Sequence, residues 1–343
     1  MRQEQWETLL AVIRGEHVEP LPVGLIIDSP WLPNWAGMSM MDYFSNESLW
    51  LEANLKVVRQ FPDIMFLPGF WSEFGMCTEP SAFGSRCRWG ENEFPWADRI
   101  IAGVHQIAEL EKPNCAVHGL LPFVLKRLQH TQQAIQQEGY EIRFAVARGP
   151  MNIASFLMDS TEFMTAIVTD PDAILTLLEL VTDFLIDWIG LQVESFPTID
   201  GVLLLDDLIG FVGEDDFRRF ALPFFKRIYD TFDVQVKFLH NDAAGLITAK
   251  YLPEMGVNLF NFSHKHSLAE IRQLTNNQVT MFGNIPPRDV LASGTPEQVR
   301  SAVQETLAEA GDTSRLILSA GGGMPPGVTT ENIEALVAAA RSV

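Results

Sequence analysis

Residues 201–207 read Gly-Val-Leu-Leu-Leu-Asp-Asp. An aliphatic run closed by two carboxylates is the pattern of a short buried strand that ends where the chain meets water. Before it, Pro171–Ser195 carries apolar residues at three- and four-residue spacing, and after it Glu214–Thr231 does the same, so a helix is expected on each side. Working outward, the unit recurs. Apolar runs at Leu21–Ile27, Ile64–Leu67, Arg143–Ala147, Val234–Leu239, Val257–Phe262, Gln278–Phe282 and Arg315–Leu318 bring the expected strands to eight. Helical patterns at Ser48–Gln60, Ser160–Ile167, Ala243–Met255, Ser267–Asn276, Pro296–Ala310 and Thr330–Ala340 bring the helices to eight as well. Thr295 before Pro296 and Thr329 before Thr330 supply N-caps, and Gly256 closes the helix ending at Met255. Alternating strands and helices make a parallel sheet, and eight of each make a closed barrel. The expected fold class is therefore α/β, a (β/α)8 TIM barrel of one domain spanning 1–343. Residues 71–142 are too many for one crossover and are expected to form an insertion after the second strand, covering part of the barrel mouth.

Composition narrows the function. The chain has 343 residues, 47% of them hydrophobic and 20% charged, and a net charge of -20. A pI near 4.7 makes it poorly suited to nucleic acid or to anionic membrane surfaces, both of which are bound by neutralising phosphates. Cys77, Cys87 and Cys115 form no CxxC pair, which argues against a disulfide framework or a thiolate zinc site and for a reducing compartment. The first twenty residues are an amphipathic, charged pattern without the apolar core of a signal peptide, and Ala173–Gln192 is interrupted by Glu179, Asp183 and Asp187. A cytoplasmic protein is expected.

In a barrel of this kind, functional side chains gather at the C-terminal ends of the strands. Those ends offer Asp28; Trp71 with Glu73; Arg148; Asp206 and Asp207; His240, Asn241 and Asp242; Asn261, His264 and His266; Asn284; and Gly321-Gly322-Gly323. Adjacent carboxylates leaving a buried strand are costly unless hydrogen-bonded, metal-bound or used in proton transfer. Strand alternation sends one of Asp206 and Asp207 into the mouth and leaves the other to cap the next element. His240 and Asp242, two apart on an extended segment, project the same way and could hold one metal or one substrate; a hydrogen-bonded core histidine is the other reading. Asp206, Asp207, His240 and Asp242 are expected to form an acid–base set. Asp28, Trp71, Arg148, Asn284, Gly321 and Gly322 are expected to contact a small-molecule substrate, with packing beneath the insertion as the other reading for Trp71. The sequence has no GxSxG elbow and no HExxH, which excludes the serine-hydrolase and zincin patterns.

Several longer stretches carry a resemblance: ARGPMNIASFLM (147–158), DGVLLLDDLIGF (200–211), KFLHNDA (237–243), FGNIPPRDVLASGTPEQV (282–299) and LILSAGGGMPPGVTTENIEAL (316–336). Together they resemble the uroporphyrinogen decarboxylase-like superfamily, which includes cobalamin-dependent methyltransferases acting on methylated corrinoid proteins. The resemblance implies the barrel fold, a homodimer, and either methyl transfer between a small methylated compound and a corrinoid-binding protein or decarboxylation of a porphyrinogen or smaller carboxylate. A non-catalytic tetrapyrrole- or corrinoid-binding protein is a third reading. The decarboxylases carry an Arg-Gln-Ala-Gly-Arg signature after the first strand; here that region reads IIDSPWLPNWAG (26–37), without arginine. The methyltransferase branch implies zinc on a His-x-Cys pair and on a Cys in the last strand's glycine loop. The matching positions are His240, Asp242 and Gly322, so any divalent metal here would take nitrogen and oxygen ligands, His240 and Asp242 first.

Overall fold

Each apolar run becomes a strand: β1 (Gly24–Ile26), β2 (Met65–Leu67), β3 (Phe144–Arg148), β4 (Gly201–Leu205), β5 (Val236–Asn241), β6 (Leu259–Phe262), β7 (Thr280–Ile285) and β8 (Leu316–Ala320). The structure is a computed structural model that describes residues 1–27 and 29–342; Asp28 lies outside the described residues. Strands β3 to β8 pair in parallel, in chain order, and β1 pairs in parallel with β2. A bridge from Val23 to Leu318, with the Leu318 N–H donating to Pro22 O at 2.9 Å, joins β1 to β8. The eight strands thus form a TIM barrel with one seam. Between β2 and β3 no ladder is found among the described residues. There Gln192, on the helix Pro171–Ser195, accepts the Val146 N–H at 3.0 Å and donates to the Val146 carbonyl at 3.0 Å. One side-chain amide satisfies the two backbone groups that a neighbouring strand would have paired.

Alternation decides what faces where. Phe144, Leu203, Val236, Phe238, Leu259, Phe282 and Ile317 fill the barrel with Ile26, Met65 and Leu67, and the helix Gln3–Ile13 closes its lower end with Trp6, Leu9 and Val12. Their neighbours in sequence, such as Ala145, Leu204, Leu239, Phe260 and Leu318, pack outward under the helices. Each fully buried Leu or Phe contributes about 1.5–3 kcal/mol. The inward rows then run out of apolar residues near the top. Phe144 and Val146 lead to Arg148, Val236 and Phe238 to His240, Leu259 to Asn261, Phe282 to Asn284, and Ile317 to Ser319.

Three local differences from the sequence reading have physical causes. Strands β5, β7 and β8 run past their apolar stretches, so His240, Asn241, Asn284 and Ser319 are strand residues rather than loop residues. The ladder continues into the mouth, where a polar side chain is tolerated. The expected insertion is shorter than 71–142, because Leu121–Gln137 is a regular helix that buries Leu121, Val124, Leu125, Leu128 and Ile135 and leads back to β3. What remains holds a small antiparallel hairpin, Cys87–Arg88 against Trp96–Ala97. The pattern at Glu214–Thr231 is broken by a π-turn over Phe217–Ala221, just ahead of Pro223, which has no N–H to donate. Among the described residues no helix is long and apolar enough to cross a membrane.

Candidate active site

A cavity of about 330 Å³ opens at the C-terminal ends of the strands, lined by Trp71, Glu73, Met76, Phe94, Arg148, Asn152, Phe156, Asp207, His240 and Gly323, among others. A larger one, about 440 Å³, lies around Arg2, Asp63 and Arg341 where the strands begin, and no group of metal-capable side chains converges there among the described residues. Chemistry belongs with the first cavity.

On one wall His240 is held by register. Its partner across the β5–β6 ladder is Asn261, which is fully buried. Asn261 Nδ2 donates to the carbonyls of Phe282 (2.6 Å) and Ala320 (2.9 Å), which turns its Oδ1 toward His240 Nδ1 at 2.7 Å. An amide oxygen can only accept, so Nδ1 carries a proton and Nε2 is the ring nitrogen turned to the mouth. Nε2 stands 4.0 Å from Asp207 Oδ1, and that oxygen accepts the N–H of Asp242 at 3.1 Å. The donor atoms of Asp207, His240 and Asp242 all lie within 4.8 Å of one another. Dehydration raises the pKa of Asp207, the charge of Asp242 adds to the rise, and His240 opposes it.

Asp206 and Asp207 part company as alternation requires. Asp206 faces the helix layer and is fully buried. Its Oδ2 accepts the N–H groups of Met151 (2.9 Å) and Asn152 (3.0 Å), and its Oδ1 that of Leu208 at 3.2 Å. Burial pushes its carboxyl up to about 8, against the pull of those N–H groups. It caps the helix Pro150–Met158, which belongs to the preceding unit rather than to the next element.

The facing wall carries a closed charge network. Arg148 donates to Glu73 Oε2 at 2.9 Å and to Glu79 Oε2 at 3.3 Å, and the Arg148 N–H donates to Glu79 Oε1 at 3.0 Å. Ser29 donates to the other oxygen of Glu73 at 2.5 Å. All four residues are buried. Burial alone would lower the pKa of Arg148; the two carboxylates outweigh it and raise it. Arg148 therefore lines the cavity as a paired ion rather than as a free cation awaiting a substrate carboxylate.

The remaining expected residues divide. Trp71 lines the cavity and Asp242 joins the cluster. A Cβ on Gly322 would lie 2.8 Å from Asp242 Oδ2, so the last strand's loop presses its backbone against the cluster. Gly321 instead packs against the backbone of His264, and Asn284 Nδ2 donates to His266 O at 2.5 Å, outside the cavity lining. Asp28 is outside the described residues. Sequence reasoning missed Glu79 as the second partner of Arg148 and did not single out Asn261; its position opposite His240 was the available signal. Nitrogen and oxygen donors at this spacing suit a divalent cation harder than one held by thiolates, and none of the three cysteines joins the cluster.

Comparison with known proteins identifies the family and the fold. A family profile described as Uroporphyrinogen decarboxylase (URO-D) matches residues 4–343. A uroporphyrinogen decarboxylase of Dichelobacter nodosus is 24% identical, over 97% of this chain and 96% of that protein. One from Acidiphilium cryptum is 26% identical, over 99% and 96%. Among solved structures, a methyltransferase from Methanosarcina mazei superposes with a TM-score of 0.82 at 20% identity, covering 97% of each chain. A B12-independent methionine synthase from a Shewanella strain gives 0.59 at 13% identity, over 94% of this chain and 97% of that one. Both likenesses carry the barrel fold.

Proposed function

We infer, from the premise that this chain belongs to the uroporphyrinogen decarboxylase family, that it is an enzyme transferring a methyl group from a small methylated substrate to a corrinoid-binding protein. One observation carries the reading. Arg148, the single cation among the described cavity-lining residues, is closed between Glu73 and Glu79, while the opposite wall sets the carboxyl of Asp207 beside the free Nε2 of His240. A substrate with many carboxylates would find no free counter-charge, and leaving an ion buried and unpaired costs several kcal/mol, roughly 3–5. A substrate whose leaving atom needs a proton finds a carboxyl of raised pKa beside it.

The step balances as follows. The bond from the methyl carbon to its nitrogen, oxygen or sulfur breaks as that carbon accepts an electron pair from the acceptor. The leaving atom keeps the bonding pair and takes the proton of Asp207, whose pKa burial raises above that of an ordinary carboxyl. The replacement proton comes from solvent, and His240 Nε2, 4.0 Å from Asp207 Oδ1, would pass it on through one bridging water. Asn261 holds the imidazole in the required tautomer. A divalent metal on His240, Asp207 and Asp242 would supply Lewis-acid polarisation of the leaving atom.

The names of the curated relatives supply the second reading, decarboxylation, in which Asp207 would protonate the carbon that loses carbon dioxide. One experiment separates the two. Purified protein is mixed with cob(I)alamin and a panel of methylated amines, thioethers and aryl methyl ethers, and methylcobalamin is followed by its visible spectrum; uroporphyrinogen is offered in parallel. Methylcobalamin from a panel member, with uroporphyrinogen unchanged, is the expected result. Turnover of uroporphyrinogen, or no methylcobalamin from any member, overturns the reading.

A further inference from the structure

The cavity is chemically lopsided. Its apolar lining includes three aromatic rings, Trp71, Phe94 and Phe156, and the thioether of Met76. Its charged groups are Glu73, Asp207 and Arg148, with Glu79 behind the arginine and Asp242 beside Asp207. Glu73 and Glu79 are paired with Arg148, so the charge left facing a ligand is that of Asp207, with Asp242 beside it. The side-chain donors are mostly engaged within the protein: Asn152 Nδ2 with Leu205 O at 3.3 Å, Ser155 Oγ with Asn152 O at 2.8 Å, Arg148 with its two glutamates, and His240 Nδ1 with Asn261. What these walls offer a ligand is acceptor oxygens, one lone-pair nitrogen and π faces.

We propose that the group received here is a methylated ammonium. This deepens the methyl-transfer reading and rests on it for the chemistry. A cation that carries methyl groups in place of N–H bonds is weakly hydrated, gains from aromatic faces and needs no acceptor of its own. The net charge of -20 favours its approach. An anion would meet carboxylates with few free donors, and a neutral ligand would leave the acidic wall dehydrated without compensation. The reaction also closes. The C–N bond breaks as the methyl carbon takes an electron pair from the corrinoid, and the amine keeps the bonding pair and leaves neutral, to be protonated by solvent outside the cavity.

Binding tests this without turnover. Choline and its neutral isostere 3,3-dimethylbutan-1-ol are titrated into the purified protein by calorimetry at fixed ionic strength, with 3,3-dimethylbutyrate as the anion. Choline is expected to bind at least about tenfold more tightly than either. Trp71→Leu and Phe156→Leu should each lower choline affinity several-fold and leave the isostere unchanged, with circular dichroism confirming the fold; Phe156 is the less buried of the two, so it serves if Trp71→Leu does not fold. Equal binding of the isostere, preferential binding of the anion, or no binding of choline at millimolar concentration overturns the proposal. Choline binding without methylcobalamin from any donor leaves the cation site standing and removes the methyl-transfer reading. Methyl transfer from ethers or thioethers, with isostere and choline bound alike, does the reverse.

Discussion

On the wall built from β3 and the loop after β2, a guanidinium is locked between two carboxylates and nothing is left over. Across the cavity, beyond β4 and β5, two carboxylates and an imidazole stand within 4.8 Å of one another, and among the described residues no arginine or lysine pairs with them. Both walls gather charged groups at strand ends, and they differ in whether the protein itself completes the set. The first wall closes its charges on one another, and the second leaves its carboxylates without a basic side-chain partner among the described residues. Adjacent residues can fall on opposite sides of this divide, as Asp206 and Asp207 do.

If the contrast is sound, stability and activity should rank the same residues in opposite orders. Arg148→Ala should cost the most stability, about 3–5 kcal/mol, because it leaves Glu73 and Glu79 buried without their cation; urea unfolding measures it, and a loss under about 1 kcal/mol would break the contrast. Asp206→Ala comes next, at about 2 kcal/mol, since three backbone N–H groups lose their acceptor. His240→Ala should cost about 1 kcal/mol, from the orphaned Asn261 Oδ1, yet abolish activity. Asn261→Leu should keep the histidine but lose tautomer control, lowering activity or metal affinity about 10–100-fold.

Asp207→Asn should have the smallest effect on stability, within about 0.5 kcal/mol, because an asparagine Oδ1 can still accept the Asp242 N–H. Its effect should appear in the pH profile. Burial raises the Asp207 pKa, so the wild-type rate should fall as pH rises through that raised value and the working acid is lost. The Asn variant should be slow throughout and lack that limb. A variant retaining the alkaline fall would assign it to another group.

Much of this was legible in the chain. All eight strands could be read, because parallel strands covered on both faces are near-continuous apolar runs. The helix at 121–137 was not, since its polar face dominates the count while its buried residues recur only every third or fourth position. Pro150–Met158 was hidden for the opposite reason, being apolar nearly all round. The acid–histidine cluster was readable from strand ends and period-two alternation. Its opposite wall was not, because Glu73 and Glu79 meet Arg148 across 75 and 69 residues of chain, and no local pattern encodes that. Charge pairing over such distances is settled by packing.

The side-chain clasp of Gln192 on Val146 has a consequence for how the molecule opens. Along the ladders from β3 to β8, separating two neighbours means breaking several backbone bonds together. At the seam the links are side chains, the Gln192 amide on Val146 and the Arg148–Glu73 ion pair, each of which can move on its own rotamers. Amide protons near the seam, Val146 foremost, should therefore exchange with deuterium through a cheaper opening than those of Leu203 or Phe238. The two chain segments that part there end at Trp71 with Glu73 and at Arg148, so the breathing of this split ring is also the breathing of the cavity entrance.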